Sequence, residues 1–153
     1  MKLYRLHEKQ RLPITRQRAW EFLSNPANLK EITPNYMSFD ILTGGDRPMY
    51  AGQIIQYIVT PIAGIKTKWV TEITHVKEGE YFVDEQRFGP YALWHHKHFI
   101  NEIEGGVEME DIIDYKLPLG VLGQLGHPIL VKPKLKEIFN YRKNKLNQLF
   151  GTI

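Results

Sequence analysis

Residues 93–117 read LWHHKHFINEIEGGVEMEDIIDYKL, two alternating runs rich in aromatic and β-branched residues that meet at Gly105-Gly106. A glycine pair between two such runs is a strong hairpin signal, because tight turns need backbone at positive φ. Leu93–Glu104 and Val107–Leu117 are therefore expected to pair antiparallel. With Gly105-Gly106 as the loop, Glu104 pairs with Val107, His98 falls opposite Ile113 and His96 opposite Tyr115. Alternate residues share a face, so Trp94, His96, His98 and Ile100 lie together, beside Met109, Asp111, Ile113 and Tyr115 on the next strand, while His95 points away.

Upstream, the same period-two reading gives strands at 2–12, Ser38–Leu42, Gln53–Pro61, Lys66–Val76 and Tyr81–Phe88, with turns at Gly44-Gly45, Glu78-Gly79-Glu80 and Gly89-Pro90. After the first strand, Thr15 is a plausible N-cap for a short helix whose apolar face is Ala19, Trp20, Phe22 and Leu23. Asn25-Pro26 breaks it. A second short helix at about Ala27–Ile32 stops before Thr33-Pro34, since a residue preceding proline is pushed out of the α region. The period then changes at the C-terminal end, where Leu135, Ile138, Phe139, Leu146, Leu149 and Phe150 fall on one side of a long helix. Leu119–Pro133, rich in glycine and proline, reads as a loop with one or two short turns. A curved antiparallel sheet of about seven strands with a helix across it is an α+β layer, and the space between the two is where a small molecule can sit.

Composition narrows the classes. A chain of 153 residues fits one domain, 1–153, and buries about two-thirds of its unfolded surface without a staple. With no cysteine there is no disulfide framework, thiolate catalysis or Cys-ligated zinc. The first residues, Met1-Lys2-Leu3-Tyr4-Arg5, lack the apolar run of a signal peptide, and no stretch approaches the roughly 18 apolar residues of a membrane span. A cytoplasmic protein is expected. A formal charge of +3, with lysines gathered only in the last helix, argues against nucleic acid as a partner.

The element order, together with Ala19-Trp20-Glu21-Phe22 and Asn28-Leu29-Lys30-Glu31-Ile32-Thr33-Pro34, Trp69-Val70-Thr71-Glu72-Ile73, Phe82-Val83-Asp84-Glu85-Gln86 with Gly89-Pro90, Trp94-His95-His96-Lys97-His98, and Met109 to Pro118, resembles the helix-grip fold of the START-related, polyketide-cyclase-like (SRPBCC) superfamily. The likeness is to its small bacterial members of unassigned function. The resemblance implies an internal cavity for lipids, polyketides or other hydrophobic compounds. Some members of that superfamily are aromatase/cyclases, some hydrolases and many only carriers. It brings no catalytic motif by position, so catalytic residues are left unassigned.

Three roles stand open for the histidine strand. Its polar groups can satisfy one another inside the sheet, orient an oxygen-bearing ligand, or transfer protons. His-x-His is also a metal spacing, with Asp111 or Glu85 as the convenient third ligand; no metal or cofactor is expected. Asp84 and Glu85 point to opposite faces and read as charges on an edge or rim. Trp69 shares a face with Thr71 and Ile73, and a tryptophan there is more often core than ligand stack. The glycines at 120, 123 and 126 lack the strand, lysine and hydroxyl of a phosphate loop and fit a flexible gate better. Ser24 and Ser38 sit in no nucleophile context. The leading expectation is a carrier or sensor that holds a hydrophobic ligand against Trp69, Trp94, His96, His98, Met109, Asp111, Ile113, Tyr115 and Ile138. The alternatives are a cyclase/dehydratase using the His/Asp/Tyr group as acid and base, and a non-catalytic partner-binding protein. The basic helix allows transient membrane docking without stable insertion.

Overall fold

The period-two runs all become strands. The computed structural model describes residues 2–60 and 64–153. In it β1 (Tyr4–Leu12) is followed by α1 (Arg16–Leu23), then by single 3-10 turns at Pro26–Lys30 and Asn35–Met37. Strands β2 (Asp40–Thr43), β3 (Gln53–Val59), β4 (Thr67–Lys77), β5 (Tyr81–Phe88), β6 (Leu93–Ile103) and β7 (Gly106–Lys116) come next. The chain closes with α2 (Gly120–Gly126), one π turn (His127–Val131) and α3 (Lys132–Phe150). Every strand pairing is antiparallel, and the sheet order is β1-β7-β6-β5-β4-β3-β2, so the N-terminal strand closes one edge against the last strand. Pro61, the expected end of the third strand, lies outside the described residues.

Thr15 caps α1 as expected, its hydroxyl accepting from the Arg18 amide at 3.2 Å. The second short helix is a 3-10 turn one residue earlier than expected, capped by Asn25 with Pro26 at its start. Proline suits that first turn, where its missing N–H costs nothing.

The hairpin register differs from the expectation by two residues. His96 lies opposite Ile113 and His98 opposite Asp111, and Ile103 pairs with Gly106 around a Glu104-Gly105 loop. Gly105 supplies the positive φ of +81°. Gly106 is needed for a different reason: a Cβ there would meet the Leu12 carbonyl oxygen of β1 at 2.1 Å. A shift by two preserves side-chain parity, so the faces assigned to Trp94, His96, His98, Asp111 and Ile113 are unchanged.

Residues 120–133 are helical where a loop with one or two short turns was expected. Pro128 falls in the π turn and Pro133 in the first turn of α3, both of which tolerate a missing N–H. The concave face of the sheet, α1 and α3 enclose the core, with Ile113, Phe82, Ile73 and Ile55 fully buried and Leu135, Phe139 and Leu146 descending from α3. Leu149, expected on the apolar face of α3, is exposed.

Candidate functional site

Between the sheet and α3 lies a pocket of about 130 Å³. Its walls come from alternate inward residues of β3 to β6, among them Tyr57, Trp69, Thr71, Phe82, Asp84, Trp94, His96 and His98, and from Leu135, Ile138, Phe139 and Arg142 of α3. Aromatic rings dominate one end. Trp69 meets Trp94 edge-on at 5.5 Å, and Tyr91 lies 4.7 Å from Trp94. The polar atoms at this end are spent on one another: the Trp69 indole donates to the Thr71 hydroxyl at 3.1 Å, and the Tyr57 hydroxyl bonds the same group.

The other end is a closed square of charges. His96 Nε2 lies 2.8 Å from Asp111 Oδ1, and His98 Nδ1 lies 3.0 Å from the same oxygen. His98 Nε2 lies 2.7 Å from Asp84 Oδ2, while His96 Nδ1 is 3.5 Å from it. The two imidazoles overlap with centroids 3.6 Å apart, and His98 stacks on Phe82 at 4.1 Å. Burial opposes ionisation of both carboxyls, but the histidine contacts overcome it. Asp111 is held well below the usual carboxylate range and Asp84 is also lowered. Burial pulls His98 down too, yet hydrogen bonds to Asp111 and Asp84 raise it above the ordinary imidazole value. For His96, burial and the neighbouring His98 charge prevail, pushing it down to about 4.

His98, held between two carboxylates at 2.7 and 3.0 Å, is the ring whose protonated form the cluster favours, and His96 is the ring it keeps neutral. With His98 protonated, three N–H groups face four carboxylate contacts. The contact left without a proton is the longest, His96 Nδ1 to Asp84. Arg142 completes the set, with Nη1 3.8 Å from Asp111 Oδ1 and the guanidinium over the Phe139 ring at 4.9 Å. With His98 protonated, two carboxylates, one imidazolium and one guanidinium cancel. What remains unsatisfied is the Arg142 Nε–H, which is buried at the pocket wall and has no hydrogen-bond partner among the described residues.

Of the residues singled out from sequence, Trp69, Trp94, His96, His98 and Ile138 line this pocket, and Met109, Asp111, Ile113 and Tyr115 do not. Asp111 sits behind the imidazoles. Met109 and Ile113 are core. Tyr115 points to a separate group, its hydroxyl 2.7 Å from His127 Nε2, with Tyr4 stacked on His127 at 3.6 Å. The phenol therefore does not join the histidine pair. Asp84 is neither rim nor edge: β5 is an interior strand, and Asp84 faces inward while Glu85 turns outward to His95 and Arg87. Arg142 is a pocket residue not singled out above, although its position, seven residues after Leu135, four after Ile138 and three after Phe139, puts it on the apolar stripe.

Asp84, His96 and His98 offer ligand atoms within 4.8 Å of one another, a two-histidine, one-carboxylate set with Asp84 in the place expected of Asp111 or Glu85. Those same atoms are already bound to each other. An ion would have to displace the His98 proton next to Arg142.

No protein-family model matches the chain, and no curated protein matches it in sequence. Solved structures do match it in fold. Protein CV1439 from Chromobacterium violaceum superposes with a TM-score of 0.73 at 14% identity, over 100% of both chains. Major latex-like protein 151 from Panax ginseng gives 0.66 at 10% identity, over 97% of both chains. A norcoclaurine synthase point mutant from Thalictrum, in complex with a transition-state analogue, gives 0.67 at 10% identity, over 97% of this chain and 96% of that one. The chain thus has the helix-grip fold that the resemblance of its sequence implies. Among the described residues no helix is long and apolar enough to cross a membrane.

Proposed function

We propose that this protein is a non-catalytic carrier or sensor that holds a small, uncharged, largely hydrophobic molecule with one acceptor oxygen. The observation that carries this reading is the Arg142 Nε–H, a buried and unpartnered donor on a residue of the pocket wall, where Thr71, Asp84, His96 and His98 already have hydrogen-bond partners. A buried donor without a partner costs free energy, and a ligand oxygen placed there recovers it. Because His98 and Arg142 already face Asp84 and Asp111, and Lys134 at the pocket wall is paired with Glu137, a carbonyl or hydroxyl matches the site, whereas a carboxylate brings in a buried charge with no free partner. Size narrows the class further. A pocket near 130 Å³ is comparable to the roughly 150 Å³ cavity that accepts benzene, and well below the roughly 300–1,000 Å³ of sites for drug-sized compounds. The expected ligand is a single substituted ring in preference to an acyl chain.

Proton transfer by the histidines is the weaker reading. Both nitrogens of His96 and of His98 already face carboxylates, so neither presents a free base to the pocket. Native mass spectrometry of the purified protein, followed by organic extraction, tests the container reading. A released cyclic carbonyl or alcohol is the expected result. A clean unliganded mass together with no binding of an apolar fluorescent probe would leave the pocket without a role.

A further inference from the structure

Between Asp114 and Glu137 the chain has no acidic residue, but it has Lys116, Lys132, Lys134 and Lys136. The same stretch contains Leu119, Val121, Leu122, Leu125, Ile129 and Leu130, every one more than half exposed, with Leu119 at 77% and Ile129 at 75%. Scattered exposed leucines are ordinary; six within twelve residues are not. The orientation of α2 and the π turn accounts for them. Gly123 and His127 face the body of the protein. A Cβ on Gly123 would meet the Pro118 carbonyl oxygen at 2.1 Å, and His127 is buried against Tyr4 and Tyr115. Leu122, Leu125 and Ile129, three and four residues apart, therefore share the outward side. The hydrophobic face is turned away from the core, the reverse of what packing alone dictates.

Cations surround this face. Lys2 and Lys116 line a shallow recess with Leu119, Gly120 and Gln124. Lys132 and Lys2 lie near enough to His127 that, after burial, their charge lowers its imidazole further. A second copy of the chain docked face to face would bring like charges together. Anionic lipid supplies what the face lacks, hydrocarbon for the leucines and negative headgroups for the lysines. We infer that residues 119–130 are an interfacial segment that seats this protein on an anionic membrane surface, with Lys2, Lys116 and Lys132 at the headgroups. The inference is independent of whether the inner pocket is occupied, and it places docking on α2 and not on the basic side of α3.

The test is co-sedimentation of the full chain with vesicles of equal parts phosphatidylcholine and phosphatidylserine, and with phosphatidylcholine alone. The chain should bind the mixed vesicles, weaken with added salt, and bind the neutral vesicles less. A Leu122→Asp, Leu125→Asp, Ile129→Asp variant should lose on the order of ten-fold or more in partitioning while keeping the native circular dichroism and Tm. Changing Lys116 and Lys132 to Glu should reduce binding only to the phosphatidylserine vesicles. Failure of the native chain to sediment, or equal sedimentation of the triple variant, would overturn the inference. So would a self-associated native chain that the triple variant converts to monomer, because the face would then be a protein interface.

Discussion

The inner wall and the α2 segment invert the usual distribution of residues. On and behind the wall the chain buries Asp84, Asp111, His96, His98 and most of Arg142, while on α2 it turns leucines outward and packs Gly123 against Pro118. The difference shows that location follows from partners and not from residue type. Buried charges are tolerable when they neutralise and hydrogen-bond one another, as this set does apart from one N–H. Exposed hydrocarbon at this density has no such internal solution.

The comparison can be broken by mutation. Asp111→Ala should be the most damaging single change, because it strands an imidazolium and a guanidinium; about 3–5 kcal/mol of unfolding free energy should be lost by urea titration. A loss under about 1 kcal/mol would mean that the cluster is already hydrated.

Acid should act nearly as strongly. His96 is depressed from an unfolded value near 6.5 to about 4, so the unfolded chain binds more protons between those values, and stability falls as pH drops through that window. The loss is about 3 kcal/mol, and His96→Gln should flatten this limb of a stability–pH profile. His98 acts with the opposite sign. Its folded value is raised, so its contribution is complete below about 6.5 and fades as pH rises through the folded value. Together the two histidines give a stability maximum near neutrality.

Smaller effects follow outside the wall. Tyr115→Phe removes the hydrogen bond to His127 while keeping the ring stack, and thermal unfolding should register about 1 kcal/mol. Leu125→Ser on the exposed side of α2 should change stability by less than about 0.5 kcal/mol, against the 2–5 kcal/mol typical of a core leucine truncation. A large loss there would mean that α2 packs its leucines in solution.

Much of this architecture was readable from local pattern. Alternation gave the strands, and because its period is two, the faces of Trp94, His96, His98 and Asp111 came out correctly despite a wrong register. The register itself depended on Gly106, whose glycine requirement is imposed by Leu12 of β1, a contact invisible to a local reading. The inward turn of Asp84 follows from alternation with Phe82 two residues earlier, but that it faces His96 from an interior strand depends on the β5–β6 pairing, which a local reading does not contain. Arg142 was legible in principle from the helical stripe, but its charge argued for solvent. The helix over 120–131 was masked by three glycines and a proline: Gly123 is required by its close approach to Pro118, and Pro128 is accommodated in the π turn.

The most direct measurement is an NMR titration of the native chain and of Arg142→Lys with acetophenone, ethylbenzene and benzoate, following the indole signals of Trp69 and Trp94 and the Arg142 Nε–H. The native chain should bind acetophenone on the order of ten-fold more tightly than ethylbenzene and benzoate, shifting all three signals, and the lysine variant should lose that preference while retaining ethylbenzene. Equal affinity for acetophenone and ethylbenzene with an unmoved Arg142 signal would contradict the carbonyl-matched pocket, and binding of none of the three would contradict the pocket as a ligand site.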